Sequence, residues 1–161
     1  MVRLALLTVL IALVVLSTAT ALKFDYDVRI YNRAADGWVN GCDEAMYCPM
    51  TVEEKSAGPF GTWIINEVDE EVNTVRNQGT KYPVVVLDPD EALGTFVGKV
   101  PPAVVRLENV DVSAYRIKDL VTDSYWTRKR NQIFLRPLDP SDDNQIWEFR
   151  PAGFDEEFAF W

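Results

Sequence analysis

Any chemistry in this chain has to be built without histidine. None occurs among its 161 residues, so the side chain that most often serves as general base or metal ligand near neutral pH is missing. A Ser-His-Asp triad and a histidine zinc site are thereby excluded. The two cysteines, Cys42 and Cys48, are too few for a structural zinc site. Carboxylates are plentiful, 25 against 16 lysines and arginines, and that abundance guarantees some pair at the spacing glycoside hydrolysis needs, so it singles out none. Two acidic runs resemble calcium loops. In residues 88–94 the glycine comes one place late and Lys99 stands where a closing glutamate belongs, while the run from Asp139 closes on Arg150; neither is an EF-hand. Gly94 and Gly98 lack the lysine and hydroxyl residue of a phosphate loop. The residue types therefore point to a binding protein that works without catalysis, cofactor or metal.

The compartment follows from residues 1–21. Arg3 is followed by an apolar run over 4–16 and then by Ala19-Thr20-Ala21, the pattern of a cleaved secretory signal. The run is shorter than the ~18 residues of a membrane-spanning helix. Cleavage leaves residues 22–161, about 140 residues and one domain's worth of chain. Loss of Arg3 takes the formal charge from −9 to −10, and so acidic a chain is a poor partner for nucleic acid or anionic membrane. The expectation is a secreted, soluble, extracellular monomer. In that oxidising setting Cys42 and Cys48 are expected to pair, closing a loop over Asp43, Glu44, Ala45, Met46 and Tyr47.

The elements that must carry these loops are strands. Residues 115–120, 125–127, 132–138 and 145–149 are β-rich runs, separated by Asp123-Ser124, by 128–131 and by the turn residues of 139–143. The first part of the chain overlays on this unit. Ile30 falls on Ile117, Trp38 on Tyr125 or Trp126, and Trp63 on Trp147, while a weaker middle copy contributes Val75 and Val105. The units run over 24–68, 69–110 and 111–151, with a tail at 152–161. Three helix-poor copies are too few for most propellers, which leaves an all-β closed barrel with three-fold pseudosymmetry, the β-trefoil. Trp38, Trp63 and Trp147 are expected in its core. Asp69-Glu70-Glu71 and Pro101-Pro102 read as connections, and Pro83 as the start or edge of a strand.

Gln145-Ile146-Trp147 matches the Q-x-W signature of β-trefoil repeats. With Tyr115-Arg116-Ile117, Tyr125-Trp126, Leu135-Arg136-Pro137-Leu138 and Phe149, the third unit resembles the last repeat of the mushroom β-trefoil serine-protease inhibitors. The signal and the cysteine pair lie outside that family's pattern. The resemblance implies a protease as partner, bound by a loop that joins the second and third strands of a unit. Two loops hold that place. The stapled loop offers Met46 or Tyr47 to an apolar specificity pocket, and Arg128, Lys129 and Arg130 offer bases to a trypsin-like one. A second class of binder on the same fold, the ricin B-chain-like lectin, would hold a glycan with Asp123, Trp126, Asn144 and Gln145, stacking the sugar on the ring and fixing its hydroxyls with the polar groups. A third reading is a secreted effector with a protein partner, using the aromatic tail that ends Phe158-Ala159-Phe160-Trp161.

Overall fold

A computed structural model describes residues 24, 27–42, 47–87 and 92–153. The expected signal, residues 43–46 of the stapled loop and the tail from 154 onward lie outside the described residues. Among these, the first unit holds β1 (Val28–Asn32), β2 (Gly37–Asn40), β3 (Tyr47–Pro49), β4 (Thr51–Glu53) and β5 (Trp63–Asp69). The second holds β6 (Val72–Asn77), β7 (Val84–Leu87), β8 (Ala92–Phe96) and β9 (Val104–Asp111). The third holds β10 (Ala114–Asp119), β11 (Ser124–Lys129), β12 (Gln132–Arg136) and β13 (Trp147–Pro151).

Antiparallel pairing runs β1–β5–β6–β9–β10–β13 and returns to β1, so six strands close a barrel and leave no open edge. Six of the other strands pair as three hairpins, β2–β4, β7–β8 and β11–β12, and β3 pairs with β8. Gln132 opposite Thr51, Phe134 opposite Ala92 and Tyr47 opposite Phe96 tie these hairpins to one another. This is the β-trefoil. Its core comes from strict alternation, as in β1, where Val28, Ile30 and Asn32 point inward and Arg29 and Tyr31 outward.

The expected equivalences appear as two layers of buried side chains, Ile30 with Val75 and Ile117, and Trp63 with Val105 and Trp147. Register also resolves the open alternative. Trp38 pairs with Tyr31 as Tyr125 pairs with Lys118, one residue beyond Ile30 and Ile117, so Trp38 corresponds to Tyr125 and Val39 to Trp126. The indole N–H of Trp63 donates to the Val39 carbonyl at 2.9 Å, and that of Trp147 to the Trp126 carbonyl at 3.0 Å, which confirms the match.

Several boundaries differ from the sequence reading. The run 132–138 stops at Arg136, because Pro137 brings no N–H to the ladder. The strand read at 125–127 extends through Lys129. Gln145 sits in a 3₁₀ turn, Asp143–Gln145, that precedes its strand. The chain reverses at Glu70-Glu71 and Val112-Ser113, so β5 and β9 reach just past the expected unit limits.

Candidate functional site

Both candidate protein-binding loops belong to the hairpins. Cys42 and Cys48 are bonded with Cα atoms 5.8 Å apart, and Phe60 of the same unit together with β8 of the second unit clamps the base of the ring they close. Gly41 N–H donates to the Phe60 carbonyl at 2.8 Å, Cys48 and Pro49 pair with Thr95 and Gly94 of β8, and Met50 N–H donates to the Leu93 carbonyl at 2.9 Å. Asp43, Glu44, Ala45 and Met46 lie outside the described residues, and the backbone of Tyr47 opens β3.

The basic hairpin is built differently. Lys129 pairs directly with Gln132, so Arg130 and Asn131 alone make the turn. Arg130 adopts a left-handed φ of 59°, unusual for a residue with a side chain. The Arg128 guanidinium donates to Asn144 Oδ1 at 3.1 Å. Gln132 also pairs with Thr51, and the Asn131 carbonyl accepts from Val52 N–H at 2.8 Å. Lys129 and Arg130 are exposed at the tip, but the backbone beneath them is committed to the sheet.

The four residues proposed for a sugar are not gathered on one surface. Asp123 is exposed in the β10–β11 turn at φ 57°, ion-paired at 2.6 Å with Lys118 Nζ. Trp126 is fully buried, edge-on to Trp147 with ring centroids 6.5 Å apart, so neither of its faces is open to a ligand. It is the middle one of three consecutive buried residues of β11, Tyr125, Trp126 and Thr127. Asn144 holds Arg128 and Asp142. Gln145 is buried, and its amide is used up within the fold: Oε1 accepts from Asp139 N–H at 3.0 Å, while Nε2 donates to Thr127 Oγ1 and the Pro137 carbonyl, both at 2.9 Å. The sugar-contact roles assigned to Trp126 and Gln145 are therefore corrected to structural ones.

The first unit performs the same task with another residue. Gly61 stands two places before Trp63, where Gln145 stands before Trp147. The missing amide comes from Asn40, the counterpart of Thr127, whose Nδ2 donates to the Lys55 carbonyl at 2.8 Å and whose Oδ1 accepts from Ala57 N–H at 2.9 Å.

The sequence reading missed a polar residue that ends the first strand of every unit: Asn32, Asn77 and Asp119, each fully buried. The signal was present, since each follows a core position (Ile30, Val75, Ile117) by two, but polarity at an inward place in a strand reads as an interruption of the pattern.

Outside the barrel, Arg150 lies 4.0 Å from the Tyr31 ring centroid and 5.1 Å from that of Trp38. Glu148 joins Arg33 at 2.7 Å and Arg150 at 2.9 Å. Partial burial alone would push the Glu148 carboxyl up, yet these two guanidinium partners outweigh it and hold it below the ordinary glutamate value. A carboxylate with a depressed folded-state pKa contributes stability above its unfolded value and loses it as pH falls through the lowered one. Glu148→Gln is therefore expected to reduce stability at neutral pH and to flatten the decline in urea midpoint as pH falls below the ordinary glutamate value. A decline as steep as wild type would assign the acid sensitivity to other carboxylates.

A shallow cleft of about 590 Å³ lies where β1 begins and β13 ends, lined by Asp27, Pro59, Thr62, Gln78 and residues 151–153. It holds no nucleophile paired with a base. Among the described residues no group of three or more Cys, Asp or Glu is placed to bind a metal.

No known family's profile and no curated protein matches the chain. Solved structures do. A designed three-fold symmetric protein, ThreeFoil, superposes at TM-score 0.67 with 10% identity, over 76% of this chain and 96% of its own. The Polyporus squamosus lectin, solved with a human-type influenza-binding epitope, Neu5Acα2-6Galβ1-4GlcNAc, gives 0.68 and 13% over 81% of this chain. A GlcNAcα1-4Gal-releasing endo-β-galactosidase from Clostridium perfringens gives 0.67 and 12% over 80% of this chain. The chain spans 50% of the lectin and 33% of the galactosidase. At these identities the likeness is one of fold.

Proposed function

We propose that the chain is a secreted, non-catalytic binding protein that inhibits a serine protease through the loop stapled by Cys42 and Cys48, with Met46 or Tyr47 entering an apolar specificity pocket. The observation that carries this reading is the contrast between two loops at one place in the repeat. The third unit reverses in two residues, Arg130 and Asn131, the shortest connection a hairpin uses. The first unit has five residues inside a disulfide ring at the same place, more than the turn requires. A covalently closed ring on a clamped base lowers the ordering cost of binding a partner, which is what an inhibitory loop needs to be held and released slowly. Arg128, Lys129 and Arg130 are less suited, because a protease cleft takes an extended backbone and theirs is paired.

The test is a panel of serine, cysteine and aspartic proteases. Met46→Ala with Tyr47→Ala is expected to weaken inhibition of an enzyme with an apolar pocket by about 100-fold or more, the effect of losing a central anchor. Arg128→Ala with Lys129→Ala and Arg130→Ala is expected to leave it nearly unchanged. Loss of inhibition only in the basic variant would move the site to the other loop, and a panel without inhibition would overturn the reading. A glycan-binding reading draws support from the saccharide-bound Polyporus lectin, but with Trp126 and Gln145 inside the core a sugar would be held by other residues. A glycan array run beside the panel separates the two.

A further inference from the structure

Asn40 is the only asparagine in the chain that is followed by glycine. An Asn-Gly pair can attack itself, because no side chain on the glycine hinders its backbone nitrogen from reaching the amide carbon of the asparagine before it. In that step the Gly41 nitrogen gives up its proton and bonds to Asn40 Cγ, the Cγ–Nδ2 bond breaks, and the NH₂ group leaves with the proton as ammonia. Water then opens the cyclic imide at either carbonyl. One product is aspartate, the other an isoaspartate whose main chain runs through the former side chain. Water is the only co-reactant.

The fold blocks each part of this step. Asn40 closes β2 opposite Thr51 and is 1% exposed, and an extended, paired backbone keeps the Gly41 nitrogen from folding back over its neighbour's side chain. The Gly41 N–H is already donated to the Phe60 carbonyl at 2.8 Å. The amide itself is held at both ends, with Nδ2 donating to the Lys55 carbonyl at 2.8 Å and Oδ1 accepting from Ala57 N–H at 2.9 Å. Lys55 and Ala57 are exposed, so a buried amide in β2 pins a surface segment of the same unit.

Neither product fits the place it came from. A carboxylate has no hydrogen for the Lys55 carbonyl, and a buried acceptor left unmet is costly. Isoaspartate inserts a methylene into the main chain of β2, which cannot then keep Asn40 opposite Thr51 and also leave Cys42, two residues on, where Cys48 meets it.

We propose that Asn40 is a modification site guarded by the fold: it stays an amide while β2 is paired, and is converted to aspartate or isoaspartate, with loss of ammonia, when the first unit opens. A molecule that has opened for long enough then has no route back to the native barrel. The conversion is independent of what the stapled loop binds.

The experiment holds the disulfide-bonded protein in warm, mildly alkaline buffer, with and without urea above its unfolding midpoint, and follows the peptide that spans residue 40 by mass. Exchange of NH₂ for OH there is expected to be about 100-fold or more faster in urea, the protection of a site that reacts only through unfolding. On removal of urea, the fraction that refolds is expected to fall in step with the conversion. Asn40→Asp, one product made directly, is expected to melt about 5 °C or more below the wild type. Equal conversion rates in the two buffers, refolding lost while residue 40 is still an amide, or an Asn40→Asp protein with wild-type melting would overturn the proposal.

Discussion

Trp147→Ala is expected to lower the unfolding free energy by about 3–5 kcal/mol, among the largest costs a single truncation can impose. The indole is fully buried among the core residues, and its removal leaves a void lined by side chains that three-fold packing holds in place. It also strips the Trp126 carbonyl of a donor at 3.0 Å. Phenylalanine separates the two effects. Trp147→Phe keeps most of the apolar volume and loses the N–H, so about 1–2 kcal/mol should remain. Trp126 is a natural control, because its ring is equally buried but its indole N–H has no partner. Trp126→Phe should therefore cost less than Trp147→Phe. Urea midpoints at constant slope would measure the series, and equal costs for the two phenylalanine variants would remove the hydrogen bond from the account.

Gly94→Ala is expected to destabilise by about 3 kcal/mol or more. Gly94 lies in β8 between two partners, opposite Pro49 of β3 and Val85 of β7. A Cβ there would overlap the Cys48 carbonyl oxygen and Leu87 Cδ1, with the Cys48 carbonyl carbon at 3.0 Å. The leucine tip can turn away. The carbonyl cannot, because Cys48 is paired in the sheet and tied to Cys42. The strain should thus appear at the base of the stapled loop, lowering both the melting temperature and the proposed inhibition. Gly153→Ala, where a Cβ would meet nothing, should change neither, and a Gly94→Ala protein with wild-type melting would show that β3 can retreat.

Much of the barrel was legible in the sequence because its period is two. Ile30, Val75 and Ile117 could be overlaid since each lies in an alternating run, and Trp63 and Trp147 mark the matching strand by sheer size. The neighbouring aromatics were harder. Tyr125 and Trp126 are adjacent, and only the register with Lys118 decides which faces inward; a one-residue slip exchanges core for surface. That ambiguity is how a core tryptophan came to be offered as a sugar platform. Gln145 was recognised as a repeat signature, but its partners, Thr127, Pro137 and Asp139, come from elsewhere in the unit and carry no local pattern. The stapled loop was legible from Cys42 and Cys48 alone, since two cysteines permit only one internal pairing.

The two amide arrangements also constrain how these repeats can change. The first unit has Asn40 with Gly61, the third Thr127 with Gln145, and each set meets a pair of backbone groups two residues apart. Adding a side chain at Gly61 would drive its Cβ into Ser56 Oγ and place it 2.5 Å from Asn40 Oδ1. Removing Gln145 while Thr127 remains would leave the Asp139 N–H and the Pro137 carbonyl unmet. Either single step crosses a penalised intermediate, so the units are connected only by coupled substitutions, and the effect of one residue depends on which others are already present. Under mutation and selection each unit is held in its own solution. Identity between the repeats can then erode while the backbone they share stays fixed.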